Sequence, residues 1–267
     1  MHVFHPPQTN NGLPPENVFV VADSANMPVA EGFLIPTYHP YLFPERPLNF
    51  FIDIRSAGPG KDMALGALLG RVQQLRAQNP QLTARAFAQV NPQDTAMMGF
   101  YMESGFDATD GLDVVSLRPP NAKPSAPMGY DMNLVPLDNP QMVQAFMMRM
   151  NAYKLDVWRP QQLQRYMAMP HFLAMYISRG QELVGEIAFT GEGQSAKLIG
   201  LYVVPNYRRL GMAKHMIAAG MKMLSENGVT YVEADVIRRN EAQNKLAQSC
   251  SATFVRTACF YPGINYD

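Results

Sequence analysis

Apolar residues cluster early in the chain at 18–23 and 48–54, short runs rich in Val, Ile and Phe that read as strands. Residues 63–78 change to helical spacing, 84–90 return to a strand pattern, and 113–117 read as a closing strand, so the first half is mixed α and β. Four prolines within 118–127 remove amide donors and resist both helix and central strand, which predicts a linker over about 118–128. Beyond it, 133–136 is a short strand. Asn139-Pro140 opens a helix with a capping residue and a proline at the first helical position, and Arg159-Pro160 opens another. Three runs at 172–177, 183–190 and 197–204 are separated by Arg179-Gly180 and by 191–193, the spacing of antiparallel hairpins. A helix over about 209–227 stops at Gly228; strand 230–237, helix 241–250 and strand 253–260 follow.

The chain has 267 residues, enough for two modest domains, read here as 1–120 and 129–267. With 47% hydrophobic and 16% charged residues, bulk disorder is excluded. Twenty-two basic residues balance 22 acidic ones, so no overall field favours nucleic acid or an anionic membrane, and recognition has to be local. Two cysteines, Cys250 and Cys259, provide neither a disulfide framework nor a paired metal site. The five histidines have no metal spacing, and no metal is expected. No basic stretch followed by an apolar one opens the chain and no 18-residue apolar run occurs, which together predict a cytoplasmic protein.

The segment with most chemical content runs from Leu201 to Lys214. A strand ends near Pro205, Arg208 and Arg209 follow, and Gly211 stands where the next helix begins. Unpaired amides at a helix start, beside the positive dipole end, suit a phosphate or pyrophosphate, and Arg208, Arg209 and Lys214 add positive charge around the same spot. Val203, Pro205, Arg208, Gly211 and Ala213 fill the pattern V-x-P-x-x-(Q/R)-x-x-G-x-(G/A), and through it the second half, about 132–260, resembles the GNAT acyltransferase superfamily.

That resemblance implies units built on a mixed, mostly antiparallel sheet flanked by helices, with splayed central strands, an α/β (α+β) fold. It implies acetyl-CoA as acyl donor: backbone groups near Val203 and Val204 pairing with the pantetheine arm, amides from Arg209 through Met212 and Ala213 to Lys214 holding the pyrophosphate, and Asn240 opening the next helix. Asn240 with Gln243 also reads as a capping box, and both roles stay open. The implied reaction is direct attack of an amine on the thioester, which needs a proton acceptor and an oxyanion donor. A backbone amide near Val204 is the oxyanion candidate, and Glu186 and Glu233 are the candidate bases. Tyr202 reads as core or pocket wall, with a catalytic hydroxyl as the other reading. The tyrosine many members carry seven residues after the asparagine is Ala247 here.

The first half resembles a degenerate copy of the same unit. Arg55-Ser-Ala-Gly-Pro-Gly60 matches the core pattern, with Gly58 at the position of Gly211, and Asn91 leads to Phe100-Tyr-Met-Glu-Ser-Gly-Phe106 at a spacing close to that of the second half. Pro59 has no N–H to donate and Asp62 places negative charge where phosphate would sit, so this half is expected to bind coenzyme A poorly and to lack the opening strand and helices. The expected function is N-acetyl transfer from acetyl-CoA to a small-molecule amine or peptide acceptor, without nucleic-acid or membrane partners. The alternative is a non-catalytic acyl-CoA-binding or regulatory protein.

Overall fold

The computed structural model describes every residue except 10, 11, 57, 123, 125 and 126. Its elements are β1 (His2–Phe4), β2 (Val18–Ala22), β3 (Pro28–Tyr38), β4 (Leu48–Ser56), α1 (Lys61–Ala77), β5 (Ala84–Ala88), α2 (Thr95–Glu103), β6 (Gly111–Leu117), β7 (Asp131–Leu134), α3 (Pro140–Asn151), α4 (Pro160–Met167), β8 (Leu173–Arg179), β9 (Glu182–Glu192), β10 (Ser195–Val203), α5 (Met212–Glu226), β11 (Tyr231–Ile237), α6 (Glu241–Ser249), β12 (Thr253–Phe260) and β13 (Gly263–Tyr266).

The chain divides into two compact units. The first comprises Met1–Leu112 together with Ala258–Asp267, and the second Asp113–Thr257. This differs from a cut at the proline-rich segment. That segment lies inside the second unit, between β6 and β7, and its residues 123, 125 and 126 are outside the described residues. The physical reason is strand pairing. In the second sheet, ordered β12-β6-β11-β10-β9-β8-β7, the strand beside β11 is β6; in the first, ordered β1-β2-β3-β4-β5-β13, the last strand of the chain lies beside β5.

In the first unit β4 and β5 are parallel and joined through α1, and the remaining described pairings are antiparallel. Leu65, Leu68 and Val72 of α1 bury against Phe50, Ile52 and Leu34, each side chain contributing about 1.5–3 kcal/mol on burial. The opening strand expected to be missing is present as β1, paired with β2 as β7 is with β8. Between β1 and β2 stands a single turn of 3-10 helix, Pro15–Asn17.

The second unit repeats the motif as β10–α5–β11, with β10 and β11 parallel and β7 to β10 antiparallel. One face of its sheet packs on α5 through Met212, Met216, Ile217, Met221 and Leu224. The other face carries α3 and α4, where Phe146, Met150 and Leu163, with Trp158 from the segment between the helices, cover Ala188 and Ile199. Helix α5 begins at Met212, later than expected. A 3-10 turn over Pro205–Tyr207 comes first, and then Arg209 (φ 62°) and Gly211 (φ 82°) take left-handed conformations that no α-helix contains.

Candidate functional site

Strands β10 and β11 pair from Ser195/Tyr231 to Leu198/Ala234 and no further, although β10 continues to Val203 and β11 to Ile237. The separation starts where β10 also shifts register against β9, between Leu198 and Gly200. A V-shaped gap opens there, and five residues of β10, about 13 Å at 3.3 Å per residue from the first to the last, run along it toward the α5 turn.

At the mouth of the gap the helix end is open. Gly211 is the N-cap of α5 and no side chain caps the turn, so the N–H groups of Met212, Ala213 and Lys214 carry no side-chain acceptor. A Cβ on Gly211 would meet nothing within 4 Å, so glycine is required by its φ and not by crowding. Arg209, Leu210, Gly211 and Lys214 are exposed, whereas the Met212 side chain is buried in the core and offers only its backbone. Amides at an exposed helix start fit a diphosphate.

The acetyltransferase (GNAT) family model matches residues 139–251, which contain both the gap and this turn. The second unit is a GNAT-family domain. No curated protein matches the sequence. Among solved structures, a GCN5-related N-acetyltransferase from Sphaerobacter thermophilus aligns with 96% of this chain and 82% of its own at 15% identity and a TM-score of 0.52. Another, from Anabaena variabilis ATCC 29413, aligns with 94% of this chain at 14% identity and a TM-score of 0.55; this chain spans 63% of its length. At such identities the likeness establishes the fold. With the parallel strand–helix–strand core repeated in each unit, the chain carries two GNAT-like units in tandem.

The remaining site residues of the GNAT domain are more heavily engaged than the sequence indicates. Arg208 folds back over the gap: Nε donates to the Val203 carbonyl at 3.2 Å, Nη2 donates to the Tyr153 hydroxyl, and the guanidinium lies 5.2 Å from the Tyr153 ring centroid. The Val204 N–H donates to the Val184 carbonyl at 2.9 Å, so it is a sheet amide and not a free oxyanion donor. Asn240 is 8% exposed, and its Oδ1 accepts the Gln243 N–H at 2.9 Å as the cap of α6.

Neither candidate base is free. Glu186 is 2% exposed and accepts two 2.6 Å hydrogen bonds from Arg149, a bidentate pair that holds both carboxylate oxygens. Glu233 accepts two from Arg256, and those hydrogen bonds hold its carboxyl below the usual carboxylate range. Tyr202 stands beside Glu186 in the β9–β10 register and packs on Tyr153, ring centroids 5.6 Å apart.

A residue absent from the sequence reading stands at the apex. Lys154 Nζ donates at 2.8 Å to the carbonyl of Ile199, the first residue past the last paired position, and lies 5.1 Å from the Trp158 ring centroid. Burial disfavours its ammonium and lowers its pKa, while the nearby Asp235 carboxylate opposes the shift. Lys197, at a paired position of β10, and Asp235, the first residue of β11 past the pairing, form an ion pair at 2.7 Å beside the apex. Lys154 follows α3 in a loop without motif character, so sequence spacing carried no signal for it.

Proposed function

We propose that the second unit binds acetyl-CoA and transfers its acetyl group to a primary amine. The observation carrying this reading is that the strand gap runs from the uncapped start of α5 to an apex holding the buried Lys154 ammonium. Acyl-CoA brings an acyl carbon activated by its bond to sulfur. The amides of Met212, Ala213 and Lys214, with Arg209 and Lys214 beside them, would hold its phosphates, and the gap-facing edge of β10 before Val203 would align its arm. Lys154 takes the part first assigned to the Val204 amide. Nζ has three donors, one of them on Ile199, and its positive charge sits where negative charge develops on an acyl oxygen.

The engagement of Glu186 and Glu233, together with Ala247 at the position of the missing tyrosine, favours a second reading, a domain that binds acyl-CoA without turnover. Thiol release from acetyl-CoA with a panel of primary amines separates the two. Amine-dependent release supports transfer; saturable binding without release supports the second reading. Lys154→Met should lower kcat/KM by about 10²–10³ and leave the affinity for acetyl-CoA nearly unchanged. Because its pKa is lowered, activity should decline with rising pH at values below those of an ordinary lysine near 10.4, as the ammonium loses its proton.

A further inference from the structure

The first unit has a strand gap of its own. Strands β4 and β5 pair from Leu48/Ala84 to Ile52/Ala88 and separate beyond, β4 continuing to Ser56. Beside the divergence lies a cavity of about 190 Å³, with room for on the order of a dozen water-sized positions.

Its chemistry differs from that of the second unit. The cavity is lined by Asp53, Asp94, Asn91 and Tyr101, among others. Oδ2 of Asp53 accepts from Arg55 at 3.0 Å in a solvent-exposed pair, and Oδ1 of Asp94 caps α2 through the Met97 N–H. The other oxygen of each carboxylate has no hydrogen bond among the described residues. Tyr101 is 2% exposed, its ring held between Phe100 and Phe106, and its hydroxyl has no partner among the described residues. Burial and the Asp53 carboxylate keep that phenol protonated. The hydroxyl of this otherwise buried side chain opens onto the cavity, so its hydrogen bonds go to whatever occupies the cavity.

Phosphate is a poor fit. Gly60, the N-cap of α1, is buried, and a Cβ there would approach Val21 and Val29 at 3.1 and 3.3 Å; Pro59 has no N–H, and Asp62 stands in the first helical turn. Two carboxylates and a carboxamide favour a cation rich in donors over a neutral or anionic ligand. We infer that the strand gap of the first unit binds the ammonium group of a small primary amine, with Asp53 and Asp94 as acceptors and the Tyr101 hydroxyl as the third contact. The site is independent of acyl transfer by the second unit.

Met97 also lines the cavity, so its methyl group reports on occupancy. In full-length protein labelled at the methionine methyls, n-butylamine should move the Met97 resonance saturably and leave that of Met216, in the second unit's core, in place. Nα-acetyl-lysine amide tests whether a lysine side chain serves equally well as a free amine. Asp53→Asn, Asp94→Asn, which retains a capping oxygen, and Tyr101→Phe should each weaken binding at least fivefold, an unchanged resonance of Met63, which packs against the first unit's core outside the cavity, showing that this unit's fold persists. The inference is overturned if n-butanol or tetramethylammonium acts as well as n-butylamine, if acetyl-CoA and not the amine moves Met97, or if the folded variants bind like the parent.

Discussion

The buried ion pair between Arg149 and Glu186 is decided by side-chain geometry that spacing does not reveal, since 37 residues separate the partners. A carboxylate on a strand facing a cleft resembles a base in sequence; in the fold it is an anchor for α3. Glu186→Gln should therefore act on stability, leaving the half-buried Arg149 without its bidentate acceptor at a cost of about 1.5–3 kcal/mol in urea unfolding. Glu233→Gln should cost about 1 kcal/mol or less, because the Arg256 side chain is 55% exposed and water screens the pair. Equal losses would mean that burial does not separate these two carboxylates. The open helix start at Gly211, by contrast, was legible, because a glycine at a helix start leaves a mark in sequence. The partners of Val204, Arg208 and Lys154 leave none.

At the level of elements, the strands and helices of the second unit follow the hydrophobic pattern closely, and the misreadings fall at turns. Gly58 looks like the counterpart of Gly211 by motif spacing, yet the left-handed cap of α1 is Gly60; Ala57, between Arg55 and Gly58, is outside the described residues. Gly211→Ala should then cost about 1–2 kcal/mol from its positive φ, and Gly58→Ala almost nothing, as read by thermal unfolding. Asp113 on β6 offers a pH test. Burial raises its carboxyl pKa, but hydrogen bonds from Arg238 and Thr257 together outweigh that and hold it below the ordinary value. A depressed folded value means its stabilisation is present above the unfolded pKa, near 3.9, and is lost as pH falls through the folded one. Asp113→Asn should lose about 1.5–3 kcal/mol at pH 7, and the difference from the parent should shrink toward pH 2.

On the scale of the whole molecule, the tandem organisation is visible in sequence, but the assignment of strands to sheets is not. Gly263–Tyr266 is a four-residue strand with no apolar run to announce it, and β6 precedes the prolines that look like a boundary. Removal of residues 258–267 should strip β13 from β5 and take away the Tyr261 and Asn265 acceptors of the buried Arg85, so that calorimetry loses the first unit's transition. Among the described residues no helix is long and apolar enough to cross a membrane. Acetyl-CoA titrated calorimetrically into the parent and into Gly211→Asp tests the account at its centre. It predicts saturable one-site binding that the aspartate abolishes by placing a carboxylate among the turn amides; binding undiminished in Gly211→Asp, or none in the parent, would contradict it.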